Sequence, residues 1–210
     1  MKNFDNSFLT DKVKIIAGCD EAGRGPLAGP VVAASIIFKN DMFIDGINDS
    51  KKLNEKQREE LFPEILNKAE CVGVSVISHG VIDKINILQA SLLGMKTATN
   101  RLKIKPDLIL IDGNKCFNSD IKNIAIVGGD SRSFSIAAAS IVAKVVRDNI
   151  MKRLDKYFPR YLWAKNKGYP TKEHIQAVKI FGTTSLHRKT FLKNILPEYY
   201  NSNLELKHLK

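Results

Sequence analysis

Cysteine and histidine are scarce in this sequence of 210 residues. Its three cysteines, Cys19, Cys71 and Cys116, lie far apart, which excludes a CxxC zinc motif and a disulfide framework. We therefore expect buried, reduced thiols, as in a cytoplasmic protein. The four histidines show neither an HExxH motif nor paired spacing, so a zinc site of that kind is excluded as well.

Long apolar runs are also absent. No run approaches the ~18 residues of a membrane-spanning helix, and the N-terminus lacks the basic start and apolar stretch of a signal peptide. The sequence therefore predicts a cytoplasmic protein without a membrane partner. It has no Walker phosphate-binding motif, and Gly23-Arg24-Gly25 is no dinucleotide fingerprint, because Pro26 and Gly29 follow at the wrong spacing. With 44% hydrophobic and 26% charged residues, the chain has the composition of a folded globular protein.

Positive charge is concentrated in the C-terminal third of the chain. Residues 144–210 hold fifteen basic and five acidic residues, a net charge of +10, whereas residues 1–143 carry only +1. Such an excess is typical of a surface that binds a polyanion, since neutralising phosphates releases counterions. A solvated, lysine-rich helical surface that binds nothing is the alternative, and charge alone does not choose between them.

The hydrophobic pattern predicts an alternation of strands and helices. Five apolar stretches are predicted to be strands, and the last two are unbroken runs typical of strands buried on both faces: 14–19, 31–38, 71–78, 108–111 and 124–127. Helices are predicted between and after them, with a last short one following His187: 50–69, 81–102, 135–156 and 171–181. This order predicts an α/β fold, a mixed five-stranded sheet flanked by helices with a C-terminal helical extension.

The composition changes after residue 156, where aromatic and basic residues interleave. We expect residues 1–156 to form the core and residues 157–210 to form a basic, helical part of the same structural unit. The polar tail after Pro197 is expected to be loose.

Carboxylates follow three of the predicted strands. Asp20 and Glu21 come directly after the first strand, Asp112 after the fourth and Asp130 after the fifth. Ligands of open α/β sheets bind outside the carboxyl ends of strands, so these four acids could converge. Any single one of them could instead be a turn-forming acid, but four of them, including an adjacent pair, favour a site. Because clustered carboxylates repel one another, and oxygen ligands suit Mg²⁺ or Mn²⁺, the pattern indicates a divalent cation site.

The glycine-rich segment Gly23-Arg24-Gly25 lies beside the acidic pair. It is either a plain tight turn or a set of exposed backbone amides that a substrate can approach closely.

Seven motifs occur in a fixed order between about Ile15 and Phe191. They are Asp20-Glu-Ala-Gly-Arg-Gly-Pro-Leu-Ala-Gly-Pro30, Asn48-Asp-Ser-Lys-Lys-Leu53, Leu110-Ile-Asp-Gly113, Gly129-Asp-Ser131, Ala138-Ala-Ser-Ile-Val-Ala-Lys144, Arg147-Asp148 and Lys167-Gly-Tyr-Pro-Thr171. Together they resemble the bacterial type 2 ribonuclease H family, ribonuclease HII. Arg24 and the short leading segment favour this family over the related type 3 enzymes, which usually have Gly-Thr-Gly and an extra N-terminal domain. Asn166, where many relatives have His, departs from the pattern at a position that we expect to be peripheral.

The resemblance implies a ribonuclease H-like core with metal-dependent endonuclease activity. The expected substrates are the RNA strand of RNA/DNA hybrids and ribonucleotides embedded in duplex DNA, with 5′-phosphate and 3′-hydroxyl products. It implies that the four acids Asp20, Glu21, Asp112 and Asp130 bind the metal and are catalytic. Two Mg²⁺ or Mn²⁺ ions about 4 Å apart would activate water and stabilise the leaving 3′-oxygen.

The resemblance also assigns substrate contacts. Gly23, Arg24 and Gly25 would sense the ribose 2′-hydroxyl, and Tyr169 would pack on the sugar past the RNA-to-DNA junction. We expect a monomer whose basic C-terminal third holds the duplex backbone through Lys144, Arg147, Lys165, Lys167, Arg188 and Lys189. Lys51 is expected to bind the substrate as well. Two alternatives stay open, a non-catalytic nucleic-acid-binding module and another nuclease of the same superfamily, such as a junction resolvase.

Overall fold

Five strands form one mixed sheet in the order β3-β2-β1-β4-β5 in the computed structural model, which describes residues 1–47, 50 and 52–195. The strands are β1 (Ile16–Ala22), β2 (Val31–Ile37), β3 (Cys71–Ile77), β4 (Leu108–Asp112) and β5 (Lys122–Ile126). The pairs β1–β2 and β2–β3 are antiparallel, whereas β1–β4 and β4–β5 are parallel. The mixed five-stranded sheet expected from the sequence is confirmed.

Helices cover both faces of this sheet. They are α1 (Lys2–Asn6), α2 (Glu55–Lys68), α3 (His79–Asn100), α4 (Phe134–Asp155), α5 (Trp163–Asn166), α6 (Lys172–Phe181) and α7 (Lys189–Ile195). Met95 of α3 packs with Cys19 and Ile109 on one face, whereas Ile136 of α4 packs with Ile16 and Leu110 on the other. None of the helices in the described part of the chain is long and apolar enough to cross a membrane.

Small residues of α4 let the helix approach the sheet closely. A side chain at Gly18 of β1 would overlap the backbone of Ser135 and Ile136, and Ala137 to Ala139 are fully buried. The close approach fixes the start of α4 against Gly18 of β1.

Three sequence expectations need correction. β5 lies at the sheet edge and pairs only with β4, so its residues are largely part-exposed and Val127 beyond it is 70% exposed; the prediction of a strand buried on both faces is wrong there. β1 extends to Ala22, which places Asp20 and Glu21 inside the strand rather than after it. Helix α3 is kinked at Asn86, whose φ of 64° is not helical and whose side chain caps the following turn at Gln89.

A buried cluster of aromatic rings and histidines holds the C-terminal part of the chain together. Trp163 Nε1 donates to His174 Nε2 at 3.1 Å, and the Nε2 atoms of His174 and His187 lie 3.2 Å apart. The Thr184 amide donates to His187 Nδ1 at 3.0 Å. Burial lowers the pKa of His187 to about 3, with a further contribution from His174. These contacts require neutral imidazoles.

Acid should therefore destabilise the fold through this pair. His187 stays neutral in the native protein down to about pH 3, whereas in the unfolded chain it takes up a proton near pH 6.5. Its stabilising contribution is thus complete above about pH 6.5 and is lost as the pH falls towards 3. From pH 7 to about 4.5 we expect this group alone to lower the free energy of unfolding by about 2 kcal/mol.

Denaturant unfolding across this pH range measures the effect. His187→Gln should flatten the pH dependence by that amount. Equal pH slopes for the wild-type protein and His187→Gln would contradict the assignment.

Candidate active site

Three carboxylates meet where neighbouring strands of the sheet end. Oxygen atoms of Asp20, Asp112 and Asp130 all lie within 4.8 Å of one another. Because β1 and β4 are parallel and Cys19 is in register with Ile111, Asp20 and Asp112 follow side by side. Asp130 comes from the short helical turn after β5, and its amide donates to Asp112 Oδ1 at 3.2 Å.

Burial and mutual repulsion make this cluster unfavourable as a set of free anions. Asp20 and Asp130 are each only 4% exposed. The pKa of Asp20 is raised well above its usual value, first by burial and then by the charges of Glu21 and Asp112, while a hydrogen bond from Ser140 opposes the rise. Three carboxylates that lie close together offer only oxygen atoms as metal ligands, which suits a divalent cation such as Mg²⁺ or Mn²⁺.

Glu21 lies beside the cluster rather than in it. Successive residues of a strand point to opposite faces, so Asp20 and Glu21 diverge. The Glu21 carboxylate lies 3.4 Å from the Arg24 guanidinium. Burial raises the pKa of Glu21, Arg24 opposes that rise and Asp112 adds to it. The structure thus brings three of the four expected acids within 4.8 Å of one another, and the fourth lines the same cavity as Asp20 and Asp112.

A cavity of about 290 Å³ opens over Asp20, Glu21 and Asp112. The glycine-rich loop and Tyr169 form part of its wall, although more than a hundred residues separate them in sequence. Sequence reasoning assigned no role to three further polar lining residues: Ser50, Arg58 and Ser140. The hydroxyls of Ser50 and Ser140 are 2.7 Å apart, and Arg58 donates to the Ser50 carbonyl at 2.9 Å. The sequence spacing could have identified Ser140 as a lining residue, because it lies one helical turn before Lys144 and the two residues share one face of α4.

The Tyr169 ring lies close to two cationic side chains. Its ring centroid is 5.5 Å from Lys144 Nζ and 5.6 Å from the Arg147 guanidinium carbon. A Cβ atom built on Gly25 would lie 3.6 Å from the Tyr169 ring, so the ring and the loop border a narrow gap. Lys144 also pairs with Asp148 at 2.9 Å and keeps 22% of its side chain exposed.

The expected duplex contact of Lys167 is wrong. Only 10% of its side chain is exposed, and its Nζ donates to the Ala164 carbonyl and pairs with Glu55 at 3.2 Å. With its donors bound inside the protein, Lys167 ties the turn before Tyr169 to α2. Lys165 is 78% exposed and does lie at the surface, whereas Lys51 falls outside the described residues.

Arg188 and Arg147 are likewise internal, so direct contacts from them to a duplex are also wrong. Both side chains are fully buried. Arg147 donates to the carbonyls of Pro30, Ala28 and Lys167 at 3.0, 3.3 and 2.9 Å. The expected peripheral position of Asn166 is wrong too, because its buried amide donates to the Tyr161 carbonyl and accepts from the Gly168 amide. These buried residues fix the walls of the cavity from beneath.

Comparison with known proteins gives one family for most of the chain. The family model described as Ribonuclease HII matches residues 17–194. A curated relative of that description from Acetivibrio thermocellus is 53% identical over 183 residues, which cover 87% of this chain and 72% of the relative. Another, from Francisella tularensis subsp. novicida, is 51% identical over 177 residues, which cover 84% of this chain and 96% of the relative.

A solved structure shows the same architecture. The crystal structure of the ribonuclease H2 from Pyrococcus horikoshii OT3 is similar to this chain with a TM-score of 0.73 and 26% identity, covering 88% of this chain and 98% of the other. The expected ribonuclease H-like fold is thereby confirmed.

Proposed function

Since the chain belongs to the ribonuclease HII family, we propose that it is a metal-dependent ribonuclease H that also cleaves at ribonucleotides embedded in duplex DNA. Family membership supports ribonuclease H activity on RNA/DNA hybrids. The observation that carries the finer proposal is the placement of the buried Asp20, Asp112 and Asp130 cluster beside the Gly23–Gly25 loop and Tyr169. The products would be 5′-phosphate and 3′-hydroxyl ends.

Asp20, Asp112 and Asp130 would hold the divalent cations, two Mg²⁺ or Mn²⁺ ions, together with Glu21 in the wall of the same cavity. Bound there, the cations would activate water for attack on the phosphodiester and stabilise the leaving 3′-oxygen. The hydrogen bond from Ser140 to Asp20 and the hydrogen bond from the Asp130 backbone amide to Asp112 would orient the ligand oxygens.

The remaining walls would bind the substrate. Lys144 would neutralise a backbone phosphate, because its ammonium is part-exposed in the cavity. Tyr169 would pack on the deoxyribose past the RNA-to-DNA junction. Exposed amides of the Gly23–Gly25 loop would meet the 2′-hydroxyl, the group that distinguishes RNA from DNA at a given nucleotide.

Alanine substitutions at the two loop glycines should have different effects on stability and activity. Gly23 has a φ of +100°, and a side chain there would overlap Arg147, so Gly23→Ala should lower thermal stability together with activity. At Gly25 a Cβ would make an ordinary contact of 3.6 Å with Tyr169. Gly25→Ala should therefore keep the fold but narrow the gap that the sugar enters, slowing cleavage by roughly 10- to 100-fold.

Thermal melts and single-turnover cleavage of the same preparations separate these effects. We expect Gly25→Ala to melt within about 2 °C of the wild-type protein. A Gly25→Ala protein that cleaves at the wild-type rate would show that this part of the loop does not approach the substrate.

A panel of four labelled substrates tests the proposed function: a long RNA/DNA hybrid, duplex DNA with one ribonucleotide, the all-DNA duplex and a four-way DNA junction. With Mg²⁺ present, cleavage of the first two alone is expected. Cleavage confined to the junction would indicate a resolvase, and tight binding with no cleavage of any substrate would indicate a non-catalytic module.

The proposal extends to the organisation and setting of the protein. Residues 1–156 would supply the catalytic core, and residues 157–210 would supply the substrate-binding part. The protein would act as a cytoplasmic monomer, in keeping with the absence of disulfides among its three cysteines.

A further inference from the structure

The buried Arg188 at the start of α7 makes four hydrogen bonds to one loop. Within the described part of the chain, its guanidinium donates to four main-chain carbonyls: Gly23 at 2.7 Å, Arg24 at 2.8 Å, Gly29 at 3.0 Å and Pro30 at 3.1 Å. The side chain is 0% exposed. Four of its five N–H donors are therefore used on the segment that forms one wall of the cavity.

The backbone around Arg188 reinforces this attachment. The Arg188 amide donates to the Leu27 carbonyl at 2.7 Å, and the Gly29 amide donates to the Leu186 carbonyl at 3.0 Å. Leu27 in turn donates to the Gly168 carbonyl at 2.8 Å, which connects the same loop to the turn before Tyr169. The loop thus has one anchored conformation, held by the C-terminal part of the chain.

The hydrogen bonds from Arg188 to the loop carbonyls determine where the loop amides point. The peptide bonds of the described chain are trans, and in a trans peptide the C=O and the N–H point in opposite directions. The carbonyls of Gly23 and Arg24 point down to Arg188, so the amides that share their peptide planes, those of Arg24 and Gly25, point away from it. Arg24 and Gly25 are exposed and line the cavity over the carboxylates.

The positive charge of Arg188 is balanced by carbonyl groups rather than by a salt bridge. Within residues 1–47, 50 and 52–195, no carboxylate lies within ion-pair distance of Arg188 or Arg147, and carbonyl dipoles solvate both cations. Burying an arginine this way is costly. A lysine would offer three donors on one atom, and it could not reproduce a planar fork that reaches four separate carbonyls.

We propose that Arg188 is a positioning residue for sugar recognition, which turns the amides of residues 24 and 25 into the cavity and thereby sets the preference for ribose. This inference rests on the proposed function, since it needs a ribonucleotide substrate at the carboxylate cluster. It assigns to the C-terminal part of the chain a role in specificity that does not depend on contact with the duplex.

A cycle of protein and substrate changes tests the inference. Single-turnover cleavage would be measured for the wild-type protein, Arg188→Lys and Arg188→Gln on matched duplexes carrying one ribonucleotide or one 2′-fluoro nucleotide. Each assay would run at a temperature where circular dichroism shows the variant folded. Asp83→Ala is the matched control, because Asp83 caps the adjacent α7 through the Lys189 and Thr190 amides without touching the loop.

We expect the wild-type protein and Asp83→Ala to prefer the ribonucleotide by the same factor. In both Arg188 variants that preference should shrink by about tenfold or more, because the lost orientation affects only the substrate that has a 2′-hydroxyl. If Arg188 were merely structural, both substrates would lose rate equally, and the unchanged preference would overturn the inference. Failure of the wild-type protein to cleave the ribonucleotide duplex would instead overturn the proposed function.

Discussion

Asp112→Asn should lower the cleavage rate of an RNA/DNA hybrid by roughly 10³-fold or more, because it removes one charged ligand from the middle of the carboxylate cluster. Asp112 lies between Asp20 and Asp130, with all three within 4.8 Å of one another. Asp20→Asn should have an effect of the same order. In the absence of metal, both variants should be as stable as the wild-type protein or more stable, since each removes a repelling negative charge.

Single-turnover rates in Mg²⁺ and thermal melts in chelator measure the two effects. Asp120→Asn makes the same chemical change at an exposed loop position and should leave both quantities unchanged. Wild-type cleavage by Asp112→Asn would remove this cluster from the mechanism. A large loss of stability in chelator would show that the carboxylate has a structural role instead.

Tyr169→Ala should slow cleavage at a single embedded ribonucleotide by about 100-fold and should slow cleavage of a long hybrid much less. The ring borders the gap opposite Gly25 and is 36% exposed, so it is available to the sugar past the junction. In the isolated case that sugar supplies the positioning, and misplacement by about 1 Å can cost ~100-fold in rate. A long hybrid can bind in several registers, and its additional ribose contacts then compensate for the lost contact with Tyr169.

The two rates, measured on matched duplexes, decide whether Tyr169 recognises the junction. Tyr169→Phe keeps the ring and serves as the control, with both rates expected to stay near those of the wild-type protein. Equal losses on both substrates for Tyr169→Ala, accompanied by lower thermal stability, would mean that the ring only packs the turn before Pro170.

The sheet and the carboxylates could be predicted from the sequence because their signals are local. The apolar run before Asp112 predicts β4, and the following acid is placed at its carboxyl end by chain order alone. The edge position of β5 could not be predicted in this way, since an apolar run of four residues does not reveal how many neighbours the strand has. The divergence of Glu21 from Asp20 follows from strand alternation once β1 is known to continue to Ala22.

Which basic residues are exposed and which are buried could not be predicted from composition. Lys165 and Lys167 are two residues apart in sequence, yet one is at the surface and the other is bound to Glu55 and a carbonyl. Arg188 is buried because its donors are matched by loop carbonyls from a segment more than 150 residues away. Net charge reports how many cations a chain has, whereas burial depends on tertiary hydrogen-bond partners.

The most direct test of the account is a Mg²⁺ titration of the wild-type protein on duplex DNA carrying one ribonucleotide. After removal of all divalent ions by a chelator, the single-turnover rate should be negligible. It should rise to saturation as Mg²⁺ is added, with 5′-phosphate and 3′-hydroxyl products at the ribonucleotide, and Asp112→Asn should stay inactive throughout the titration. Cleavage at an undiminished rate in chelator would contradict the claim that this carboxylate cluster acts through bound cations.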